Sequence, residues 1–141
     1  MKTSDIVIGM VGSGGDGVVA IGDILTTTAA LEGLHCMQVK SFGAQIRGGE
    51  SSCVLRISTK QAYSQGGILD VLVAFNWEDY KRFSGELKVK KNVIVITDEK
   101  DIQENLPLND NIKPPEMFKI PFDSLVKESG NPKAKNIIAL G

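Results

Sequence analysis

Cysteine is scarce in this 141-residue chain, which has only Cys36 and Cys53. An iron–sulfur cluster takes four thiolates, so this chain has too few to hold one. The two are also too far apart for a Cys-x-x-Cys redox pair. The single histidine, His35, has no partner spaced to make a zinc site with them. Two small buried thiols are the plain reading. Charge of one sign is lacking as well: 16 basic residues stand against 17 acidic ones, for a formal net charge of −1. No global field therefore draws the chain to nucleic acid or to an anionic membrane. No apolar run approaches the roughly 20 residues that cross a bilayer. The first such run, Ile6 to Val11, is too short for the core of a signal peptide. These absences predict a cytoplasmic protein with no nucleic-acid or membrane partner.

What is present is ordinary in bulk and unusual in detail. Hydrophobic residues are 42% and charged residues 23%, as in soluble globular domains, and the length suits one domain. The unusual detail is glycine. "GMVGSGGDGVV", from Gly9 to Val19, places four glycines among the six residues Gly12–Gly17, directly after an apolar run. That run, Asp5 to Val11, reads as a parallel strand buried on both faces. Val18 to Leu31 follows as a helix, with Val18, Ile21, Ile24, Leu25, Thr28 and Leu31 on one side and Gly33 as its stop. His35 to Phe42 reads as a second strand, parallel to the first across this crossover.

Gly43 to Gly49 is a glycine-rich loop, and Ser51 to Ser58 alternates as a half-exposed, antiparallel strand. Asp70 to Asn76 is a buried strand, and Trp77 to Leu87 is a helix with Trp77, Tyr80, Phe83 and Leu87 on one face. Lys88 to Lys91, "KVKK", reads as a solvated turn before a strand from Asn92 to Thr97. Asp98 to Pro115 is polar and irregular. Phe118 to Ile120 reads as an edge strand and Phe122 to Glu128 as a short helix. The pattern predicts an α/β fold: a three-layer, Rossmann-like mixed sheet, mostly parallel, with an antiparallel strand.

Two motifs carry the candidate chemistry. Gly12, Gly14 and Gly17 fit G-x-G-x-x-G between a strand and a helix, where backbone N–H groups and the helix dipole favour an anion. Ser13 and Gly15 complete the turn. A dinucleotide site also needs an acid at the end of the second strand. Lys40 stands there instead, and Asp16 inside the turn repels a pyrophosphate. A turn that touches only protein, and a site for another phosphate-bearing ligand, both stay open. The second motif is "GAQIRGGE". Arg47 offers a planar fork that suits a phosphate or carboxylate, and Gly48 and Gly49 can form an anion-binding nest. An ion pair between Arg47 and an acid such as Glu50 is the alternative. The first two strands end at the same edge of the sheet, so the two motifs are expected to converge there. Asn76 and Asp98 end strands at that edge too, and Asn76 is a candidate ligand contact. No nucleophile–base pair, carboxylate dyad or metal cluster is apparent, so no catalytic residue is assigned.

"GSGGDGVVAIGDIL", "SFGAQIRGGESSCVLRIS", "DVLVAFN" and "GNPKAKNIIALG", in this order, resemble the gamma subunit or gamma domain of the 2-oxoacid:ferredoxin oxidoreductases. That resemblance implies CoA-dependent oxidative decarboxylation of a 2-oxoacid such as pyruvate, 2-oxoisovalerate or 2-oxoglutarate. It implies thiamine diphosphate and iron–sulfur clusters on partner alpha, beta and, in some forms, delta chains, ferredoxin as acceptor, and coenzyme A as substrate. No cofactor is expected on this chain alone. By the same resemblance Gly12, Gly14, Gly15 and Gly17 form the turn, and Arg47, Gly48 and Gly49 form a second loop facing the shared active-site region. The family's domain continues past "NIIALG" with a further helix, so residues 1–141 are expected to be a gamma domain shortened at its C-terminus. Two alternatives are a gamma-like subunit of indolepyruvate oxidoreductase and a stand-alone nucleotide-binding module. A purely architectural subunit is a further possibility.

Overall fold

A computed structural model describes residues 5–44 and 49–141. The first strand, β1 (Asp5–Gly12), lies inside a six-stranded sheet of order β2-β3-β1-β4-β5-β6 among the described residues. The others are β2 (His35–Phe42), β3 (Ser51–Ser58), β4 (Leu69–Ala74), β5 (Val89–Asp98) and β6 (Glu116–Ile120). Strands β1, β4, β5 and β6 pair in parallel. β3 runs antiparallel to both of its neighbours, in unbroken register from Asp5↔Ser58 to Gly12↔Ser51 on one side and from His35↔Ser58 to Phe42↔Ser51 on the other. The expected mixed α/β sheet with an antiparallel strand is therefore present. β1 and β2 do run in the same direction, but they are separated by β3 rather than paired.

The apolar pattern divides into two cores, one on each face of the sheet. On one face Val7 and Val11 of β1, Leu72 of β4 and Val93 and Val95 of β5 pack with Trp77, Tyr80, Phe83 and Leu87. Three of these belong to α2 (Trp77–Phe83). Asn76 starts that helix, its side chain accepting the Asp79 N–H at 2.7 Å, which satisfies one of the N–H groups left over at a helix start. Acids in its first turn and bases in its last suit the helix dipole. On the other face Met10, Cys53, Val73 and Phe75 pack with Val18 and Ile21 of α1 (Val18–Leu31), with Phe122 of α3 (Phe122–Ser129), and with Ile138 of α4 (Lys135–Leu140). The result is the three layers expected.

Three expectations are corrected. β3 is not half-exposed: Ser51 to Leu55 are all buried, because the strand lies between two others with helices over it. Ser52, on the face of Val54 and Arg56, is 2% exposed. Lys88–Lys91 is not a turn. β5 begins at Val89, which is buried, while Lys90 reaches Asp70 at 2.6 Å. The buried side of α1 is narrower than its apolar spacing suggests: Ile24 is 40% exposed and Leu31 is 83% exposed.

Tyr80 is fully buried, and its hydroxyl donates to the Leu87 carbonyl at 2.8 Å. Burial pushes its pKa up to about 12 from 10.0. A raised folded-state value means that the neutral phenol stabilises the fold below the unfolded value, and that this contribution is lost as pH rises toward the folded one. Urea unfolding of Tyr80→Phe should show a loss of about 1–3 kcal/mol at neutral pH, since the Leu87 carbonyl is left unpaired. The wild-type stability should fall between pH 10 and about 12, and that part of the fall should be absent in the variant.

Candidate functional site

β1, β2, β4 and β5 all end at one edge of the sheet, and β3 begins there. The glycine turn leaves β1 at this edge. It closes on itself: the Asp16 N–H donates to the Ser13 carbonyl at 3.0 Å, and Asp16 Oδ2 accepts the Ser13 N–H at 2.8 Å. Gly17 then starts α1 with φ +73° and no side-chain cap. A Cβ at Gly17 would stand 2.7 Å from the Asn136 side chain. Glycine is thus required at Gly17 by conformation and by the close approach of α4. At Gly15 nothing lies within 4 Å of such a Cβ.

Ser13, Gly14 and Gly17 line a cleft of about 490 Å³ together with Val18, Val19 and Ala20, Phe42 at the end of β2, and Gly49, Glu50 and Ser51 before and at the start of β3. The glycine turn and the end of the second glycine-rich loop therefore share one wall. The first N–H groups of a helix have no partner within it, and the first three residues of α1, Val18–Ala20, belong to this lining. A helix start favours anionic groups. Phe42, 68% exposed, adds an apolar ring to the lining. Both acids of the lining are balanced. Asp23 pairs with Lys40 at 2.8 Å, and that hydrogen bond holds its carboxyl below the ordinary value. Glu50 pairs with Arg82 of α2 at 2.7 Å, and its carbonyl accepts the Gly43 N–H at 2.8 Å. The base of the second loop is thus stapled shut.

Of the other sequence candidates, Arg47 and Gly48 lie outside the described residues. Gly12, Gly15 and Asn76 are not in the cleft's lining. The Asn76 amide donates to Asp79 Oδ2 at 2.6 Å and to Ser13 Oγ at 3.3 Å, and Ser13 Oγ donates to Asp79 Oδ2 at 2.6 Å. Asn76 thereby ties the start of α2 to the glycine turn. Asp98 is buried, accepts the Lys100 N–H, and lies 3.8 Å from Lys135 Nζ. Burial pushes the Cys53 thiol up, and Gln38 donates to its sulfur, which describes an inert core thiol. Among the described residues no group of three or more His, Cys, Asp or Glu is placed to hold a metal ion.

Sequence reasoning missed Phe42, the Glu50–Arg82 staple and Lys135. Phe42 reads as an ordinary strand end. Lys135 lies 119 residues from its partner Asp16, beyond any local pattern.

Fold and cleft together define a three-layer α/β domain with a ligand-sized recess at the carboxyl edge of its parallel strands and no nucleophile–base pair among the described residues. The chain belongs to the pyruvate ferredoxin/flavodoxin oxidoreductase family, whose pattern matches residues 7–141. It is 30% identical over 138 residues to ketoisovalerate oxidoreductase subunit VorA of Methanothermobacter marburgensis, covering 97% of this chain and 27% of that one. It is 30% identical over 133 residues to 2-oxoglutarate synthase subunit KorC of Methanocaldococcus jannaschii, covering 92% of this chain and 68% of the relative. The fold superimposes on 2-oxoglutarate:ferredoxin oxidoreductase from Magnetococcus marinus, a structure with 2-oxoglutarate, coenzyme A and succinyl-CoA bound. The TM-score is 0.77 at 30% identity, over 99% of this chain and 24% of that one. It also matches the keto/oxoacid ferredoxin oxidoreductase gamma subunit of Geobacter sulfurreducens, with a TM-score of 0.70 at 27% identity, over 96% of this chain and 73% of that one. The chain thus spans about a quarter of one relative and about two thirds of another.

The contrast within the turn is testable by thermal unfolding. Gly17→Ala should cost more than the roughly 1–2 kcal/mol of a left-handed L-residue, because Asn136 must also move. Gly15→Ala should change stability by less than about 0.5 kcal/mol.

Proposed function

We propose that this chain is the gamma domain or subunit of a cytoplasmic, CoA-dependent 2-oxoacid:ferredoxin oxidoreductase, and that its carboxyl-edge cleft takes part in holding coenzyme A. The observation that carries this reading is the cleft's composition. Its volume falls in the range of about 300–1,000 Å³ usual for small-molecule sites. Its lining includes the start of α1, which favours anionic groups, and an exposed phenylalanine ring. Coenzyme A is a long ligand with phosphates at one end and a less polar arm at the other, and it suits such a surface. Arg47, two residues before Gly49 in the sequence, is assigned an anion contact. The glycines of the turn bring the start of α1 to the edge.

The chemistry of the 2-oxoacid belongs to partner alpha and beta chains. Thiamine diphosphate bound there would supply the decarboxylation, and iron–sulfur clusters would supply the path to ferredoxin. The residues here do not fit a cluster, since the sequence has two cysteines, one of them buried in the core. What this chain contributes is binding and orientation of the acyl acceptor, and contacts that hold the complex together. Lys40, paired with Asp23 at the place of the ribose-binding acid, favours this reading over a stand-alone nucleotide module.

The test is steady-state kinetics of the assembled enzyme. Phe42→Ala and Arg47→Ala should each raise the KM for coenzyme A by about tenfold, with kcat at saturation and the KM for the 2-oxoacid unchanged. Titration with NADP is the control and should show no binding. An unchanged KM for coenzyme A in both variants would leave the domain architectural and sink the proposal.

A further inference from the structure

The glycine turn carries an anion of its own. Asp16 Oδ2 accepts the Ser13 N–H at 2.8 Å, and Asp16 Oδ1 lies 3.0 Å from Lys135 Nζ on α4. This is not a solvated loop acid. The side chains of Asp16 and Lys135 are 13% and 24% exposed. Lys135 is fixed from several sides: its ammonium stands 5.1 Å from the Phe75 ring centroid, 5.6 Å from that of Phe122, and 3.8 Å from Asp98 Oδ2. The carboxylate also packs on the strand end, since a Cβ at Gly12 would lie 2.7 Å from Asp16 Oδ2.

A backbone N–H and an ammonium converging on one anionic oxygen pair are the contacts that a phosphate takes in a strand–glycine turn–helix. Here both are already made by a side chain. We propose that Asp16 is a built-in stand-in for a ligand phosphate. It fills the anion position beside the Ser13 N–H, Lys135 holds it there from α4, and the pair keeps a phosphate out of that position. Asp16 is then a specificity-determining residue. An incoming phosphate would meet a half-buried like charge, where repulsion is screened less than in water. It would also find its N–H donor and its cation already engaged. Neither Asp16 nor Lys135 lines the cleft, so the filled position is not the one proposed for coenzyme A, whose phosphates are left to the start of α1. It also accounts for a glycine pattern of dinucleotide type on a chain whose second strand ends without the matching acid.

The experiment follows the Ser13 and Gly14 amides of the full chain, labelled with nitrogen-15, during titration with inorganic pyrophosphate. In the wild-type chain neither amide should move saturably up to about 10 mM. Asp16→Ala empties the position, and there pyrophosphate should bind at least about tenfold more tightly and move both amides. Adding Lys135→Met should abolish that gain. Should the alanine variant not fold, Asp16→Asn, which keeps the bulk and removes the charge, is judged by the same criterion. Saturable movement of these amides in the wild-type chain would overturn the proposal. So would a folded Asp16 variant with no gain in affinity.

Discussion

β1 is held on both edges, antiparallel to β3 and parallel to β4, and covered on both faces by apolar side chains. Its C-terminal end is therefore fixed in space, and the glycine turn starts from a rigid point. Everything at the site hangs from that point. Gly17 turns the chain into α1. Ser13 meets Asp79 and Asn76 at the start of α2, and Asp16 meets Lys135 of α4. Helices on opposite faces of the sheet are thus both tied to one six-residue turn. A change at the turn is felt on both faces, because packed interiors transmit small shifts rather than absorb them.

Most of the fold was legible because its signals are local. Glycine punctuates the ends of α1, and the bounds of β2, α1 and β3 follow from apolar spacing between such breaks. What was not legible depended on distant partners. The alternation of β3 reads as a half-exposed strand, but the two cores cover both of its faces at Cys53 and Val54. "KVKK" looks like a solvated turn, yet Val89 faces the core and Lys90 finds Asp70 on the neighbouring strand. The same divide runs through the site. Convergence of the glycine turn with the end of the second loop could be inferred from strand direction, and Gly14 and Gly49 do share a cleft. Lys135 could not be inferred, because only the folded chain brings α4 under the turn. Asn76 was singled out as a strand end, but its side chain serves as a helix cap and a brace.

The same economy marks the division of labour proposed for the enzyme. The domain offers a recess and a helix start, with the acids of that recess neutralised by Lys40 and Arg82. An anionic substrate therefore meets little net repulsion there despite the chain's slight excess of acid. Redox and decarboxylation chemistry needs thiolates and a thiamine cofactor, and those are assigned to other chains.

The central claim is that coenzyme A is held at this cleft. The most direct measurement is amide hydrogen exchange of the assembled enzyme with and without coenzyme A. The account predicts slowed exchange in the segments 13–20 and 42–51 of this chain when coenzyme A is present. Protection confined to the partner chains, with these segments unchanged, would contradict it.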